Sequence, residues 1–299
     1  MKLSLKQLQA FLWVADLGSF RKAADRLNTT QPNISSRISL LEAQLNTSLM
    51  DRDAGSVRLT PKGLQLLDHT RKVLRAVDDL VDASGETDLI DGTLRLGVTE
   101  MIVHTWLSQF LKMLSDTYPK LHVELTVDLS VNLEAELVAR SIDLALQNGP
   151  FNRHVTGEHA LGNYPLVWVA SRTLGLHDID TPGVEDLAKH PILTHARDTQ
   201  LFFETSTHFD QHKGINARLV PSSNLAACLH MTLNAMGVAT LPAAMVASEL
   251  AKGDLVQIDY NWHPKPLEFY ARFDAARAPL YVQDAAQIAR SIAQSFATA

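Results

Sequence analysis

The 299-residue chain has one cysteine, Cys228, so no disulfide can close within it. Cys228 lies in an apolar helical context and is read as a small core residue rather than a thiol sensor. There is no uninterrupted apolar stretch long enough to span a bilayer, and no membrane partner is expected. Lys2 and Lys6 open directly onto an amphipathic pattern, without the apolar run of a signal peptide, so the expected compartment is the cytoplasm. Low-complexity segments and fixed-period repeats are missing. So are the phosphate-cradling GxxxxGK[ST], the dinucleotide-binding GxGxxG and the nucleophile elbow GxSxG. His208 and His212 stand four apart, a spacing that could share a metal. No third ligand or intervening Glu accompanies them, so surface histidines are expected and no metal or cofactor. Trp106, Trp168 and Trp262 read as core or pocket-wall aromatics, with core preferred.

What is present centres on residues 19–42, SFRKAADRLNTTQPNISSRISLLE. Phe20, Ala23, Ala24 and Leu27 recur at helical spacing, with Ser19 as N-cap and Gly18 freeing the chain to turn. Asn28 and Thr29 break the pattern. A second helix can start at Thr30, because Pro32 lacks an N–H and is tolerated only in a first turn. Its buried stripe is Ile34, Ile38, Leu41 and Leu45. Thr30, Gln31, Pro32, Asn33, Ser35 and Ser36 then form a short polar outer face with Arg37 on its flank, shaped to enter a major groove. The plain alternative is a solvated helical hairpin.

The flanks favour the groove. Leu5, Leu8, Leu12 and Ala15, widened by Phe11 and Val14, form an earlier amphipathic helix that completes a three-helix core. Leu49-Met50 and Val57-Arg58-Leu59 read as two short strands turning at Asp53-Ala54-Gly55, a wing with Arg52 and Arg58 placed to meet phosphate. Residues 1–63 carry nine basic and five acidic side chains, a balance of +4, while the whole chain is −6. That polarity suits a DNA-binding module on an acidic partner domain.

The run QLQAFLWVADLGSFRKAADRLNTTQPNISSRISLLE followed by LMDRDAGSVRLTPKG resembles the winged helix-turn-helix of LysR-type transcriptional regulators. The most specific parts are F-x-x-A-A-x-x-L, Gln31-Pro32, Leu41-Glu42 and the L-T-P-x-G ending at Gly63. Where the family often carries Arg this chain has Ser36, and Met50 stands in place of Phe; Arg37 is placed to take over the lost contact.

The fold class expected is a multidomain α+β and α/β chain. It has a winged helix-turn-helix at 1–60, a linker or dimerisation helix and hinge at 61–88, and a two-lobed α/β effector-binding domain at 89–299. The helix after Thr60-Pro61 carries Leu66, Val73 and Leu80 at period seven, with Leu67, Leu74 and Val81 beside them and Val77 between. Two such stripes suit pairing with a second copy, as the resemblance also implies, although packing on its own domain gives the same pattern. Residues 84–88 read as a hinge. Beyond them, strands at 93–98, 122–129, 142–147, 164–170, 192–195, 218–221, 238–241 and 267–273 alternate with helices at 102–118, 133–140, 184–189, 225–236 and 283–296. This order argues for parallel sheets covered on both faces. The resemblance implies two lobes, about 92–162 with 268–299 and about 163–267, joined by two crossing strands.

Ligands in such sheets sit beyond the carboxyl ends of strands. That rule selects Thr99, Glu100, Ser130, Gln147, Asn148, Thr194, His195 and Arg197, and the resemblance carries an effector pocket to these same ends, Thr99 foremost. Arg197 could hold a carboxylate and Glu100 an amine, so a small organic acid or amino-acid-like metabolite is the expected effector. The alternative for both is ordinary solvated loop charge. The function expected is an effector-controlled transcription factor. Its partners would be double-stranded DNA with dyad symmetry, a small molecule and further copies of the chain as homodimer or homotetramer, with RNA polymerase as an open addition. A small-molecule carrier remains a competing class, as does an α/β enzyme, for which no convergent acid, base and nucleophile can be assembled.

Overall fold

The computed structural model describes residues 3–53, 56–83, 90 and 92–297. The chain divides into two compact units, Met1–Asp91 with Arg277–Tyr281, and Gly92–Ala276 with Val282–Ala299.

In the first unit, α1 (Leu5–Leu17), α2 (Phe20–Arg26) and α3 (Gln31–Leu45) surround one apolar core. Ser4 and Gln7 close a capping box on α1, and Gly18 ends that helix in the left-handed region that glycine enters without penalty. The Ser19 hydroxyl accepts from the Lys22 amide at 3.3 Å, capping α2 as its position predicts. The buried line of α1 runs through Gln7, Leu8, Ala10, Phe11 and Val14. Leu5 is exposed, and Leu12 and Ala15 only flank the core, so the stripe is rotated from the one expected. Ile34, Ile38 and Leu41 are fully buried under α3. Strands β1 (Met50–Asp53) and β2 (Ser56–Leu59) form the wing in antiparallel register; the tip at residues 54–55 lies outside the described residues.

Helix α4 (Pro61–Ala83) follows. Thr60 Oγ1 accepts from the Gly63 amide at 2.9 Å and donates to the Ser48 carbonyl at 2.8 Å, so one side chain caps the helix and anchors the wing. A Cβ on Gly63 would lie 2.2 Å from the Leu49 carbonyl oxygen, which is why glycine ends the L-T-P-x-G motif. The expectation that both period-seven stripes of α4 face a partner is corrected. Leu67 is buried in the unit's own core and Leu66 and Leu74 pack against it, while Arg71 holds Asp16 on α1 at 2.7 Å. Val73 and Leu80 are exposed and Val77 is half-buried. The side chain of Val81 and the hinge at 84–88 lie outside the described residues.

The second unit contains two five-stranded sheets. The first has the order β4-β3-β5-β12-β6, built from β3 (Gly92–Val98), β4 (Leu121–Val127), β5 (Leu144–Asn148), β6 (Gly157–Tyr164) and β12 (Leu267–Phe273). The second runs β11-β7-β10-β8-β9, from β7 (Leu166–Ser171), β8 (Ile192–Thr194), β9 (Leu219–Pro221), β10 (Val238–Pro242) and β11 (Leu255–Gln257). Both are mixed rather than parallel. Strands β4 and β5 run parallel to β3, and β8 parallel to β9 and β10. Antiparallel pairing comes from β12 against β5 and β6, and from β7 against β10 and β11. The reason is connectivity: the chain passes from one sheet to the other at Pro165 and returns through 258–266, and the crossing strands join with reversed direction.

The helix expected at 102–118 is two, α5 (Glu100–His104) and α6 (Leu107–Thr117). At the break Thr105 Oγ1 bonds back to the Met101 carbonyl, and Trp106 turns into the core, its indole N–H donating to Tyr164 Oη at 2.9 Å. Helix α7 (Ser130–Ala139) covers the first sheet, and α12 (Leu280–Ala297) closes the chain. Helices α8 (Val184–Ala188), α9 (Gln200–Asp210), α10 (Leu225–Leu233) and α11 (Ala243–Lys252) belong with the second sheet. Neither α9, α11, β6 nor β11 was expected. Strand β6 reads GEHALGNY, with too little apolar alternation to stand out, and is held by pairing with β12 along its length.

Cys228 is buried, its thiol against the Thr194 carbonyl, and burial raises its pKa. His208 and His212 are both half-buried rather than fully exposed. His208 stacks on Trp262 at 3.8 Å and bonds Tyr260 Oη at 2.6 Å, and burial lowers its pKa to about 4. No helix among the described residues is long and apolar enough to cross a membrane.

Candidate functional site

Two sites are separately assembled, one in each unit. On α3, Thr30, Gln31, Pro32, Asn33 and Ser36 are exposed and Ser35 and Arg37 half-buried, all turned away from Ile34, Ile38 and Leu41. Thr30 is the N-cap, yet its side chain makes no capping bond, so the first-turn amides stay open toward solvent. Gln31, Ser36 and Arg37 make no side-chain hydrogen bond or ion pair among the described residues. Asn33 differs, since its Nδ2 donates to Thr29 Oγ1 at 2.8 Å and holds the side chain back on the turn.

Glu42 ties the helix to the wing. Its Oε1 accepts from the Leu49 and Met50 amides at 2.8 and 3.2 Å, tying the end of α3 to the start of β1. That is the physical content of the Leu41-Glu42 pair: one residue buried beneath the helix, the next bonded to the wing. Arg58 is exposed on β2; Arg52 lies on β1 and its side chain falls outside the described residues. Arg26 lies over Trp13 at 4.3 Å, bracing α2 on α1.

In the second unit a cavity of about 990 Å³ opens between the two sheets, at the carboxyl ends of β3, β5, β8 and β9. Thr99, Glu100, Ser130, Asn148 and His195 line it, as expected. Thr99 is the N-cap of α5 but caps nothing; it is 8% exposed and its Oγ1 has no partner among the described residues. An unpaired buried hydroxyl costs about 1–3 kcal/mol, which marks the position as built for something else. Burial lowers the pKa of His195 to about 4, against a backbone hydrogen bond at Thr240 that favours the proton. The ring is neutral at physiological pH, and its Nε2 has no partner among the described residues.

Four expected residues stand elsewhere or do other work. Gln147 is fully buried beneath the cavity, its amide placed to donate to the Ser130 carbonyl at 3.0 Å and accept from Arg272 at 3.2 Å. Thr194 is buried at the end of β8 and does not line the cavity, although its Oγ1 also has no partner among the described residues. Arg197 is exposed, outside the lining, with its guanidinium 5.3 Å from the Phe202 ring. Glu100 does not stand free for an amine: its carboxylate accepts from the Leu225 and Ala226 amides at the start of α10, with His104 Nε2 at 3.8 Å. The expectation of an acid held by Arg197 and an amine held by Glu100 is therefore corrected.

Ser130 and Asn148 brace each other, Ser130 Oγ donating to Asn148 Oδ1 at 2.8 Å and accepting from the Asn148 amide at 3.1 Å. Below them Arg272 joins four segments, bonding Glu134 at 3.1 Å, Glu158 at 3.0 Å and the Arg153 carbonyl, with Phe151 3.7 Å beneath its plane. Burial opposes the charge on Glu134, but the Arg153 and Asn152 amides and the Arg272 guanidinium outweigh it and leave the pKa lowered. Residues at 222–225 and 265–270 also line the cavity and were not foreseen. Asn224, an N-cap just before an apolar helical run, was the available signal for the first group.

A winged helix-turn-helix with an open polar helix face, on a chain whose second unit holds a cavity between two α/β sheets, defines a ligand-controlled DNA-binding protein. Residues 5–64 match the bacterial regulatory helix-turn-helix proteins of the lysR family, and residues 87–293 match the LysR substrate binding domain. The chain belongs to the LysR family and is a DNA-binding transcriptional regulator with a substrate-binding domain, not an enzyme. Among curated relatives it is 26% identical over 263 residues to the transcriptional regulator GltR of Bacillus subtilis, covering 84% of this chain and 83% of that one. It is 29% identical over 284 residues to PtxR of Pseudomonas aeruginosa, covering 92% and 88%. Among solved structures, full-length OxyR from Pseudomonas aeruginosa aligns over 98% of this chain and 95% of its own, with TM-score 0.63 and 19% identity. ArgP from Mycobacterium tuberculosis aligns over 97% and 98%, with TM-score 0.61 and 21% identity. CbnR complexed with its target DNA aligns over 97% and 99%, with TM-score 0.52 and 22% identity.

Proposed function

We propose that the protein reads a dyad-symmetric operator as a dimer or a pair of dimers, and that a small molecule bound in the cavity of the second unit controls that reading. The observation that carries this is the open outer face of α3, whose Gln31, Ser36 and Arg37 make no side-chain hydrogen bond or ion pair among the described residues, on a helix tied to the wing through Glu42. Gln31 and Arg37 reach base edges and the helix end, and Arg52 and Arg58 on the wing meet phosphate. One helix and one wing cover too few base pairs for genomic specificity, so a second copy is needed. Exposed Val73 and Leu80 on α4, with Val77 beside them, offer the seam for it.

In the second unit, Thr99, His195, Ser130 and Asn148 present hydrogen-bonding groups to the effector at the strand ends. Binding between the two sheets shifts the population of their closed arrangement. It thereby changes how the copies sit on DNA, its bend, and access for RNA polymerase. The natural site of action is the cytoplasm, where the operator is.

The test is fluorescence anisotropy of the full chain on the fragment upstream of its own gene. Binding should weaken linearly in log affinity with log salt. Gln31→Ala should cost about 1–3 kcal/mol and relax sequence preference, whereas Arg52→Ala should weaken all sequences alike and flatten the salt slope. Equal binding to scrambled DNA by the unaltered chain would sink the reading.

A further inference from the structure

We propose that Glu100 is a latch across the cavity: its carboxylate, seated on the start of α10, holds the two sheets together before any effector arrives and so sets how readily the effector closes them. The second half of this statement rests on the cavity being the effector site.

Two covalent crossings join the sheets, at Pro165 and through 258–266. Such a pair of segments keeps the lobes attached but leaves them a hinge about which to open. What fixes the opening is therefore to be sought in contacts across the cavity. Away from the crossing segments, Glu100 is the one side chain among the described residues that hydrogen-bonds from the elements of one sheet to those of the other.

Both ends of that bond are firmly based. Glu100 opens α5 directly after β3, and Thr99 before it is fastened to the first sheet by its amide, which donates to the Leu146 carbonyl at 3.1 Å. Leu225 and Ala226 are the first two residues of α10, which is anchored on the second sheet through buried Cys228 and its contact with the Thr194 carbonyl. The Glu100 oxygens accept from both amides, that of Ala226 at 3.3 Å.

The bond forgone is as telling as the bond made. A glutamate in a first helical turn is placed to answer the positive end of its own helix. Helix α5 has no side-chain cap, yet Glu100 turns from it to α10, where Asn224 Oδ1 already takes the Ala227 amide. A charged acceptor on amides at a helix start makes a stronger bond than a neutral one. The Glu100 side chain is only 19% exposed, so water and salt screen it little.

The apparent affinity of a ligand falls with the fraction of protein in the competent arrangement. By keeping the sheets joined in the free protein the latch raises that fraction. Thr99 and Glu100 both line the cavity, so an effector at the end of β3 adds to a bias already present.

The test measures the gap. In the full chain, Ala135→Cys on α7 and Asp210→Cys on α9 put spin labels at exposed positions of the two lobes, while native Cys228 stays buried. Diluting labelled with unlabelled chain restricts pulsed electron paramagnetic resonance to distances within one copy. Glu100→Ala should lengthen and broaden that distance. Glu100→Gln, which keeps size and an acceptor oxygen but not the charge, should fall between it and the unaltered chain. Should Glu100→Ala fail to melt cooperatively, Glu100→Gln alone decides. An unchanged distance in a folded variant, with or without a lower Tm, overturns the latch and leaves Glu100 a cap on α10. A longer distance with an unchanged footprint on the fragment upstream of the gene leaves the latch standing and overturns control of DNA reading by sheet closure. A longer distance with an altered footprint supports both.

Discussion

Helix α3 starts at Gln31 behind Thr30, an N-cap whose hydroxyl makes no capping bond, and its first-turn residues are exposed. Helix α10 starts at Leu225 behind Asn224, whose side chain does cap, and Glu100 supplies a second acceptor from 125 residues earlier. Both ends carry the same partial positive charge. One is left open, which suits phosphate on a duplex; the other is closed by a carboxylate from the chain itself. The surroundings follow suit: a net balance of +4 over residues 1–63, and a carboxylate-rich wall around the cavity.

The comparison can be pressed from several sides. The largest effect is expected from Arg272→Ala, which leaves Glu134 buried without its cation and should cost about 3–5 kcal/mol of stability in the second unit. Denaturant melts followed by near-ultraviolet signals from Trp106 and Trp168 would measure it, with operator binding by the first unit spared at low denaturant. Ile38→Ala should come next, at about 2–5 kcal/mol, because Ile38 is fully buried under α3. Operator affinity should fall with it, while Leu40→Ala, at an exposed position on the same helix, should stay within about 0.5 kcal/mol.

Acid should separate the units through His195. Its folded pKa is depressed to about 4 from 6.5, so between those values the unfolded chain binds the extra proton. Stability is at its full value above pH 6.5 and falls as pH drops toward 4, by about 1.4 kcal/mol per pH unit at most for this one group. His208, depressed likewise, adds to the slope, so His195→Gln should blunt it without removing it. A melting temperature flat from pH 7 to 4.5 would contradict both assignments.

The smallest change in stability is the most pointed. Thr30→Asp closes the amino end of α3 as Glu100 closes that of α10. It should stabilise the helix by about 0.3–1 kcal/mol while weakening operator binding at least tenfold. If affinity is unchanged, the open end of α3 is not where DNA meets the protein.

The first of these helix ends was legible in sequence and the second was not, for a physical reason. Gln31, Ser36 and Arg37 take their orientation from Ile34, Ile38 and Leu41 a turn away, so helical periodicity alone places them. Glu100 takes its role from Leu225 and Ala226, and nothing local distinguishes it from a solvated loop carboxylate. Arg197 shows the converse: the strand-end rule selects the segment, but the side chain leaves the cavity to lie on Phe202. Along α4 the period-seven pattern is real, yet only packing tells Leu67, buried against α1, from Val73 and Leu80, left open.

By itself, then, the amino-acid order determined the winged helix-turn-helix, its outward face, the alternation of strands and helices behind it, and Thr99 at a strand end. These depend on interactions within a turn or two of helix or one strand, which periodicity and capping residues encode. Only the tertiary structure decided which residues line the cavity, that Arg272 rivets four segments behind it, and that Glu100 spans it. Those contacts join positions more than a hundred residues apart, where chain order carries no distance information and burial, charge and geometry must be settled together.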